Sequence, residues 1–184
     1  MVASPQVYIV QAAKNNTDLL LKVAAGVLTV ALCAVVARTL EPKLVEKGDT
    51  APKFSLTTDQ GKPVSRTDFG GKVLVLNFWA TWCAPCLQEL PSLDQFTRKF
   101  QNQGVTVLAV SVDRNEKRYK DLLDRVKPAF LTTRDPEANL PVAYGTFLYP
   151  ETYIIGKDGK VLYKEANARD WMDPAFLNYF QSLL

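Results

Sequence analysis

The chain has 184 residues, of which 47% are hydrophobic and 22% are charged, and its formal net charge is +3. This composition is typical of one globular domain with a sizeable core and an appendage. The small net charge, with no run of five basic residues, argues against nucleic-acid binding. The chain has no histidine and only three cysteines. This excludes Ser-His-Asp and Cys-His catalysis, histidine-ligated metals and a four-cysteine metal site within one chain.

An apolar segment near the N-terminus is the first predicted element. Residues 19–37 read LLLKVAAGVLTVALCAVVA, and Lys22 is their only charged residue. A helix of this length nearly spans a hydrocarbon core of about 30 Å, and a lysine close to one end can extend to the interface. We predict a tail over 1–18 and a transmembrane anchor over 19–38, with a secretory signal as the alternative. Cys33 is interpreted as a small apolar side chain of this membrane helix.

The charges around this segment leave its orientation open. Two basic residues lie on its N-terminal side and three on the other: Lys14 and Lys22, then Arg38, Lys43 and Lys47. A difference of one charge is too small for the positive-inside rule to decide which side the C-terminal part occupies. A short polar linker is predicted over 39–48, and residues 49–184 are predicted to form the globular domain.

Strands and helices alternate through the first part of this domain. Residues 54–65, FSLTTDQGKPVS, are typical of a short hairpin with its turn near Gln-Gly. The continuous apolar runs of residues 73–80 and 105–113 predict strands that are buried on both faces. Apolar residues recur at helical spacing over 87–100 and 114–126, which predicts a helix after each strand. Two buried strands joined by a helix form a βαβ unit with a parallel pair of strands.

The last part of the chain predicts a second hairpin and a closing helix. In residues 151–166 two apolar triplets flank GKDG, where Asp158 and Gly159 suit a tight turn. Asp173 and the proline after it are typical of the N-cap and first position of a helix, predicted over 174–184. No internal repeat or low-complexity tract interrupts this order of elements.

The stretch NFWATWCAPCLQELP carries Cys83 and Cys86 at the predicted junction of a buried strand and a helix. A disulfide between residues three apart closes too small a loop to stabilise the domain much, which disfavours a purely structural bridge. Cys83 falls at the helix N-terminus, where unpaired N–H groups and the helix dipole favour a thiolate. Cys86 lies one turn on, placed to attack a mixed disulfide formed at Cys83. Pro85 suits the first turn, where its missing N–H would be unpaired anyway.

Several separate pieces of the domain resemble one family. FWATWCAPC resembles the active site of thioredoxin, and the wider pattern is similar to the membrane-tethered TlpA/ResA/DsbE-like branch of that superfamily. The likeness covers residues 46–184. GDTAPKFSL is similar to the start of the branch, and Pro91 matches a proline that kinks the active-site helix. YPETYIIGKDGKV resembles the segment that holds a cis-proline, here Pro150. Cysteines in this context are expected to be redox-active.

The resemblance implies an α/β protein with a thioredoxin fold, a central mixed β-sheet flanked by helices, behind an N-terminal transmembrane helix. It implies that Cys83 is the exposed nucleophile and Cys86 the buried resolving thiol. Pro150 in cis, with the backbone beside it, would line the groove that receives the cysteine of the substrate. The other groove residues are expected to be Trp82, Ala84, Pro85 and Tyr149.

Glu89 stands three residues after Cys86, near the same helix face. In the ResA-like branch a glutamate at this spacing is associated with proton handling, so the resemblance makes Glu89 a catalytic candidate. A solvated helix acid is the alternative. Asn77 stands where thioredoxin has a buried aspartate, so we expect no ionisable base there. Tyr149 is bulky enough to narrow the groove, and Trp79 is expected in the core.

The resemblance implies a single-pass thiol-disulfide oxidoreductase of the cell membrane, with its thioredoxin domain on the extracytoplasmic, periplasmic side. By dithiol–disulfide exchange it would reduce disulfides of specific extracytoplasmic proteins, for example apocytochrome c before haem attachment. Electrons would come from a membrane electron donor. The redox-active disulfide of Cys83 and Cys86 is the only redox group implied, and no cofactor, metal or nucleic acid is expected.

Two other functions stay open at this point. GDTAPKFSL also occurs in peroxiredoxin-like peroxidases, but their peroxidatic cysteine follows a threonine or serine three residues earlier, and here Ala80 holds that place. A redox-inert or copper-handling thioredoxin-fold module is the other alternative. Copper chaperones of this fold use a wider cysteine spacing and a histidine ligand, and this chain has neither.

Overall fold

The computed structural model describes residues 5–40, 44–66 and 71–184, with only the backbone described for residues 5–18 and 39–40. Residues 41–43 of the predicted linker therefore lie outside the described residues. So do the side chains of Lys14 and Lys43, which enter the charge count around the apolar segment. The chain divides into two compact units, Met1–Glu41 and Pro42–Leu184.

The N-terminal unit holds one described element, helix α1 (Pro5–Leu40). Its part Leu19–Arg38 is long and apolar enough to cross a membrane, and its side chains are exposed. This agrees with the apolar helix predicted over 19–38. The helix also runs back through residues 5–18, which the sequence predicts as a tail. Pro5 suits the first helical position, and no later proline interrupts the helix.

The described part of the second unit contains seven strands and four helices. They are β1 (Ser55–Thr57), β2 (Pro63–Ser65), β3 (Val73–Trp79), α2 (Ala84–Phe100), β4 (Val105–Ser111), α3 (Glu116–Val126), β5 (Leu131–Arg134), α4 (Asn139–Tyr144), β6 (Glu151–Ile155), β7 (Val161–Glu165) and α5 (Pro174–Gln181). Every element predicted for the domain has a counterpart in this order.

Five of these strands form one mixed sheet in the order β5-β4-β3-β6-β7. The central strand β3 pairs in parallel with β4 and antiparallel with β6. β4 pairs in parallel with β5, and β6 forms a hairpin with β7. The separate pair β1–β2 is the short hairpin at the start of the domain. The βαβ unit and both predicted hairpins are therefore confirmed.

The side chains of β3 alternate between the two faces of the sheet and belong to two core clusters. Alternate residues such as Val75 and Trp79 belong to a cluster with α2 and α5, whereas Leu76 and Phe78 belong to a cluster with α4. All seven residues of β3 are buried. A strand covered on both faces has no polar side, which explains its continuous apolar run. Asn77 is the exception, and it lies at a position on the α2 face.

Two elements, β5 and α4, have no counterpart in the sequence prediction. β5 has only four residues, LTTR, and α4 has six, NLPVAY. Both are too short for a periodic pattern to distinguish them from loop. The proline of α4 lies in its first turn, where no N–H donor is needed. A polar strand at the sheet edge and a helix of only six residues are recognisable only from their tertiary partners.

Residues 44–51, here called the leading segment, pack on the domain. The Val45 side chain is 2% exposed, and its N–H donates a hydrogen bond to the carbonyl oxygen of Tyr144 at 3.1 Å. Lys164 Nζ on β7 lies 2.8 Å from Glu46 Oε1. Residues 44–48 of the predicted 39–48 linker therefore belong to the folded unit, because the Val45 side chain is buried in its core.

Candidate active site

The two cysteines lie where β3 leads into α2, and they form a disulfide with their Cα atoms 5.2 Å apart. Cys83 is the N-cap residue of α2, and its sulfur accepts a hydrogen bond from the Cys86 N–H at 3.2 Å. Pro85 lies in the first turn. An N–H of the helix start therefore points at the Cys83 sulfur, and this arrangement stabilises a thiolate once the disulfide is reduced.

Both cysteines are largely covered in this oxidised form. Cys86 is fully buried and Cys83 is 6% exposed, so the expectation of an exposed Cys83 is wrong here. The reason is that the Tyr149 carbonyl oxygen lies 3.4 Å from Cys83 Sγ and shields it. The order of accessibility is nevertheless the expected one, because a reagent from solvent meets Cys83 before Cys86.

The loop opposite the disulfide carries the Tyr149–Pro150 peptide bond, which is cis as expected. The half-buried Tyr149 ring lies edge-on to Trp82, with the ring centroids 6.0 Å apart, and Trp82 is 57% exposed. Ala84 and Pro85 are exposed at the start of α2. The side chains predicted to form the groove therefore border the disulfide.

Two further apolar side chains precede this loop. Phe147 is 60% exposed and Leu148 is 80% exposed, and sequence analysis does not single out either of them. Their only signal is the run FLY in a loop, where bulky apolar residues have no core to fill. Trp79, in contrast, is fully buried, as predicted.

Glu89 is 2% exposed, so it is not the solvated helix acid that the sequence allows. Its Oε1 accepts a hydrogen bond from Asn77 Nδ2 at 2.9 Å. Its Oε2 accepts hydrogen bonds from the indole N–H of Trp171 at 3.2 Å and from the backbone N–H of Arg169 at 3.3 Å. Asn77 Nδ2 also donates to Thr152 Oγ1 on the paired strand β6 at 2.9 Å. Three N–H groups therefore donate hydrogen bonds to the carboxyl group.

Burial raises the pKa of Glu89 to about 7. Desolvation disfavours the carboxylate more strongly than the hydrogen bonds from Asn77, Trp171 and Arg169 favour it, and the negative charge of Glu165 raises the pKa further. Asn77 itself supplies no ionisable base, as expected. The carboxyl group of Glu89 on α2 contacts the Asn77 side chain and is a titrating group beside it. A group with this pKa can take up and release a proton near neutral pH.

Arg169 and Trp171 are site residues that sequence analysis missed. They lie between β7 and α5, at least 80 positions from Glu89 along the chain, so no local pattern connects them with it. Arg169 Nη1 lies 2.7 Å from Glu165 Oε2, and its guanidinium lies 3.7 Å from the centroid of the Phe176 ring. These contacts hold the segment that presents the backbone N–H of Arg169 and the indole N–H of Trp171 to Glu89.

Asp113 holds the turn that leads from β3 to the cysteines. Its carboxylate accepts hydrogen bonds from Thr81 N at 2.8 Å, from Thr81 Oγ1 at 2.6 Å and from Ser111 Oγ at 2.6 Å. Asp113 lies two residues after the end of β4, the parallel neighbour of β3, and it is 1% exposed. The end of β4 therefore positions the loop that carries Trp82 and Cys83.

The remaining cysteine and the alternative sites add little to this arrangement. Cys33 is unpaired and exposed on α1. Within residues 19–38, 44–66 and 71–184, no group of three or more Cys, Asp or Glu side chains is placed to hold a metal ion. Ala80, at the position of the peroxidase hydroxyl, is fully buried and offers no hydrogen bond to Cys83 through its side chain.

Comparison with known proteins assigns this site to a family. The Redoxin family matches residues 46–179. The chain belongs to the Redoxin family. The thiol-disulfide oxidoreductase ResA of Bacillus thuringiensis subsp. konkukian is 33% identical over 137 residues, which cover 71% of this chain and 79% of that protein. ResA of Bacillus subtilis is 31% identical over 142 residues, covering 74% and 79%. This Redoxin-family chain is a ResA-like thiol-disulfide oxidoreductase.

Solved structures agree on the fold of the Redoxin-family domain. A Chlorobium tepidum protein assigned as a thiol:disulfide interchange protein DsbE is 32% identical, with a TM-score of 0.70. The match covers 76% of this chain and 98% of the other. The thioredoxin fold expected from the resemblance, with its central mixed sheet, is therefore confirmed.

Proposed function

We propose that this protein is a membrane-anchored reductant of disulfides in specific extracytoplasmic proteins. The observation that carries the proposal is the Cys83–Cys86 pair at the start of α2, facing the Tyr149–Pro150 loop. The helix start favours the Cys83 thiolate, and the loop leaves a groove beside it in which a substrate sulfur can be attacked.

The proposed reaction needs only the cysteine pair as its redox group. In the reduced protein, the Cys83 thiolate attacks one sulfur of a substrate disulfide, and the other substrate sulfur leaves as a thiolate. Cys86 then loses its proton and attacks Cys83 Sγ, so the mixed disulfide breaks and the substrate is released. The substrate has gained two electrons, and the protein returns to the Cys83–Cys86 disulfide of the structure.

In this reaction Glu89 accepts the proton that Cys86 loses. The two residues lie almost one turn apart on α2, and both are buried, so water does not readily supply a base there. With a pKa of about 7, Glu89 is available as a carboxylate near neutral pH and can also hold the proton. Trp82 and Tyr149 form the rim that the substrate contacts, and Pro150 shapes the groove behind them.

Electrons are proposed to flow from the protein to its substrate. The dipeptide between the cysteines, Ala84-Pro85, carries no positive charge. A positive charge there would stabilise the reduced thiolate and make the protein a stronger oxidant. By analogy with the ResA/DsbE-like branch, apocytochrome c before haem attachment is the proposed substrate, and this step rests on analogy alone.

The location proposed for this activity is the extracytoplasmic, periplasmic side of the cell membrane. The apolar segment Leu19–Arg38 supports a single-pass anchor. A membrane electron donor with its own dithiol would then reduce the pair again, because cytosolic thioredoxin cannot reach the domain. In spheroplasts, a membrane-impermeant maleimide should label reduced Cys83, and protection until the membrane is broken would contradict this location.

The reduction potential of the pair tests the direction of electron flow. The full-length protein in detergent micelles is equilibrated with dithiothreitol or glutathione buffers, and the oxidised fraction is read by thiol alkylation. A value near about −250 mV or lower is expected for a dedicated reductant, and a value near about −120 mV would contradict it. A double Cys83→Ala, Cys86→Ala variant is the control and should show no transition.

A trapping experiment tests the order of the two cysteines. Cys86→Ser leaves Cys83 able to attack a substrate but unable to release it, so a mixed disulfide should accumulate and identify the substrate. Cys83→Ser is the matched control and should trap much less, because Cys86 is fully buried. Equal trapping by the two variants would overturn the assigned roles.

A further inference from the structure

A cleft on the surface of the domain lies next to Glu89. It has a volume of about 410 Å³ and lies between α2 and the segment from Ala168 to Asp170. Glu89 forms part of its wall, and Gln88 and Gln95 flank it on α2. None of the residues that line this cleft is among the side chains that border Cys83.

The two oxygens of the Glu89 carboxyl group face different parts of the molecule. Oε1 is hydrogen-bonded to Asn77 on β3, the strand that leads into Cys83. Oε2 is hydrogen-bonded to the N–H groups of Arg169 and Trp171, and Arg169 itself lines the cleft. A protonated carboxyl group donates from one oxygen and accepts at the other. A proton taken up on the inner oxygen reaches the side of the cleft when the carboxyl group turns about its Cγ–Cδ bond and so exchanges its two oxygens.

The side-chain amide of Asn77 can form a hydrogen bond with Glu89 in either charge state of the carboxyl group. Among the described residues its Oδ1 has no hydrogen-bond partner, although it is buried. If the side-chain amide of Asn77 rotates, Oδ1 can accept a hydrogen bond from protonated Glu89, and Thr152 Oγ1 can donate to it. The amide thus matches both the carboxylate and the carboxylic acid without moving the backbone.

We propose that this cleft is the route by which protons pass between Glu89 and solvent, with Arg169 and Trp171 as positioning residues at its inner end. The proposal rests on the proposed role of Glu89 in disulfide reduction. The cleft is lined by residues other than those around Cys83, so a protein substrate seated in the groove need not fill it.

One proton takes this route in each turnover. When Cys86 attacks Cys83 Sγ, the S–H bond of Cys86 breaks and its proton moves to the Glu89 carboxylate. The Cys83–Cys86 bond forms as the bond from Cys83 to the substrate breaks, and the substrate leaves as a thiolate that takes a proton from solvent. Glu89 then releases its proton to water in the cleft. Both electrons go to the substrate, so no further reactant is needed.

The charged groups around Glu89 leave its carboxyl group able to gain and lose a proton. The facing charged groups are Glu165 on β7 and Arg169 and Asp170 in the segment before α5. Arg169 is neutralised by Glu165 at 2.7 Å. Within the described residues no lysine or arginine forms an ion pair with Glu89. A permanent ion pair would hold Glu89 as a carboxylate, whereas here the carboxyl group is free to gain and lose a proton.

Chemical rescue tests the route. The full-length protein in detergent micelles is reduced in advance and mixed with a disulfide peptide, and the oxidation of Cys83 and Cys86 is followed over a single turnover. Glu89→Ala should slow this step about 100-fold. Formate, a small acid that fits the space left by the side chain, should restore the rate in proportion to its concentration.

A blocked cleft should weaken this rescue. Ala168→Trp, added to Glu89→Ala, places an indole in the cleft and should lower the slope of rescue severalfold. Lys99→Trp, at an exposed position of α2 outside the cleft, is the matched control and should leave the slope unchanged. Equal slopes in the two double variants, or a slowed Glu89→Ala that formate does not rescue, overturn the route. An undiminished rate in Glu89→Ala overturns the proposed role of Glu89, and the route with it.

A second measurement keeps the carboxyl group in place and does not depend on the folding of Glu89→Ala. Infrared spectroscopy detects the C=O stretch of a protonated carboxyl group, and the band lost in Glu89→Gln identifies Glu89. Ala168→Trp should slow the shift of this band after transfer to D₂O severalfold relative to Lys99→Trp. An equal exchange rate in the two variants overturns the route.

The same band tests the positioning role of Trp171. Trp171→Phe removes one N–H donor from Glu89 Oε2, which favours the protonated form. The pH at which the band disappears should therefore rise in Trp171→Phe, while a merely structural role would leave it unchanged. An unchanged midpoint overturns the assignment of Trp171 as a positioning residue.

Discussion

At the residue scale, Glu89 links the chemistry of the site to the stability of the fold. Three N–H donors surround its carboxyl group, but desolvation outweighs them and raises its pKa from 4.5 to about 7. Between these two pH values the unfolded chain has lost this proton while the folded chain keeps it. The free energy of unfolding therefore falls as pH rises through this window and becomes independent of Glu89 above it.

Glu89→Gln should remove this pH dependence. We expect the unmodified protein to lose roughly 3 kcal/mol of stability between pH 4.5 and 7 through Glu89, and the variant to lose none by this cause. The new amide keeps its partners when the Asn77 amide rotates, because Asn77 Oδ1 then accepts from the glutamine NH₂ while the glutamine oxygen accepts from Arg169 and Trp171. Urea unfolding of the full-length protein in detergent at several pH values measures the difference.

The control for this prediction is Glu137→Gln, which changes an exposed acid of the same domain. It should keep the pH dependence of the unmodified protein. If Glu89→Gln also keeps that dependence, then Glu89 does not change its protonation across this window, and its proposed part in proton transfer fails.

An asparagine at position 77 leaves Glu89 as the titrating group of this pair. An aspartate at position 77 would lie within about 3 Å of the Glu89 carboxyl group, as the Asn77 amide does now. Two acids so close cannot both ionise easily, and one of them would stay protonated well above its ordinary pKa. With asparagine on β3, the site holds one titrating carboxyl group, and that group is on α2.

At the scale of elements, the start of α2 depends on the neighbouring strand. Asp113→Ala should leave the buried N–H and hydroxyl of Thr81 without their acceptor and lower the free energy of unfolding by about 2–3 kcal/mol. Asp113→Asn can still accept from the Thr81 N–H through its oxygen and can donate to the Thr81 hydroxyl through its NH₂, so it should lose much less. Urea unfolding of both variants measures the effect.

Asp124→Ala is the matched control for this turn, because Asp124 is an exposed acid on α3. It should stay within about 0.5 kcal/mol of the unmodified protein. A loss in Asp113→Ala no larger than in this control would show that the turn holds its shape without Asp113.

At the scale of the whole molecule, the leading segment decides where the domain begins. A fragment that starts at Pro42 keeps Val45, whereas one that starts at Asp49 loses this buried side chain, worth roughly 1.5–3 kcal/mol. The exposed Glu46–Lys164 ion pair adds little. We therefore expect the shorter fragment to unfold at lower urea concentration than the longer one.

Val45→Ala in the longer fragment is the control and should reproduce much of this loss. Equal unfolding midpoints for the two fragments would mean that residues 42–48 are a linker, as the sequence suggests. The comparison thus separates a domain that begins at Pro42 from one that begins at Asp49.

The sequence predicted the parts of the fold that depend on neighbours along the chain. β3 was recognisable because a strand buried on both faces must be apolar throughout. α5 was recognisable because Asp173 and Pro174 are typical of a helix start, and in the structure Asp173 accepts a hydrogen bond from Phe176 N. The groove around Pro150 came from the family resemblance. Trp171 gave no signal, because its hydrogen bond to Glu89 joins residues 82 positions apart.

The amino-acid sequence by itself determined the order of strands and helices and the placing of two cysteines at a helix start. Both depend on periodicity and capping, which act over a few residues. Only the tertiary structure decided that Glu89 is buried, that Tyr149 covers Cys83 and that Val45 belongs to the core. Burial depends on which distant segments meet, and desolvation by those segments sets the charge of the acid beside the cysteines.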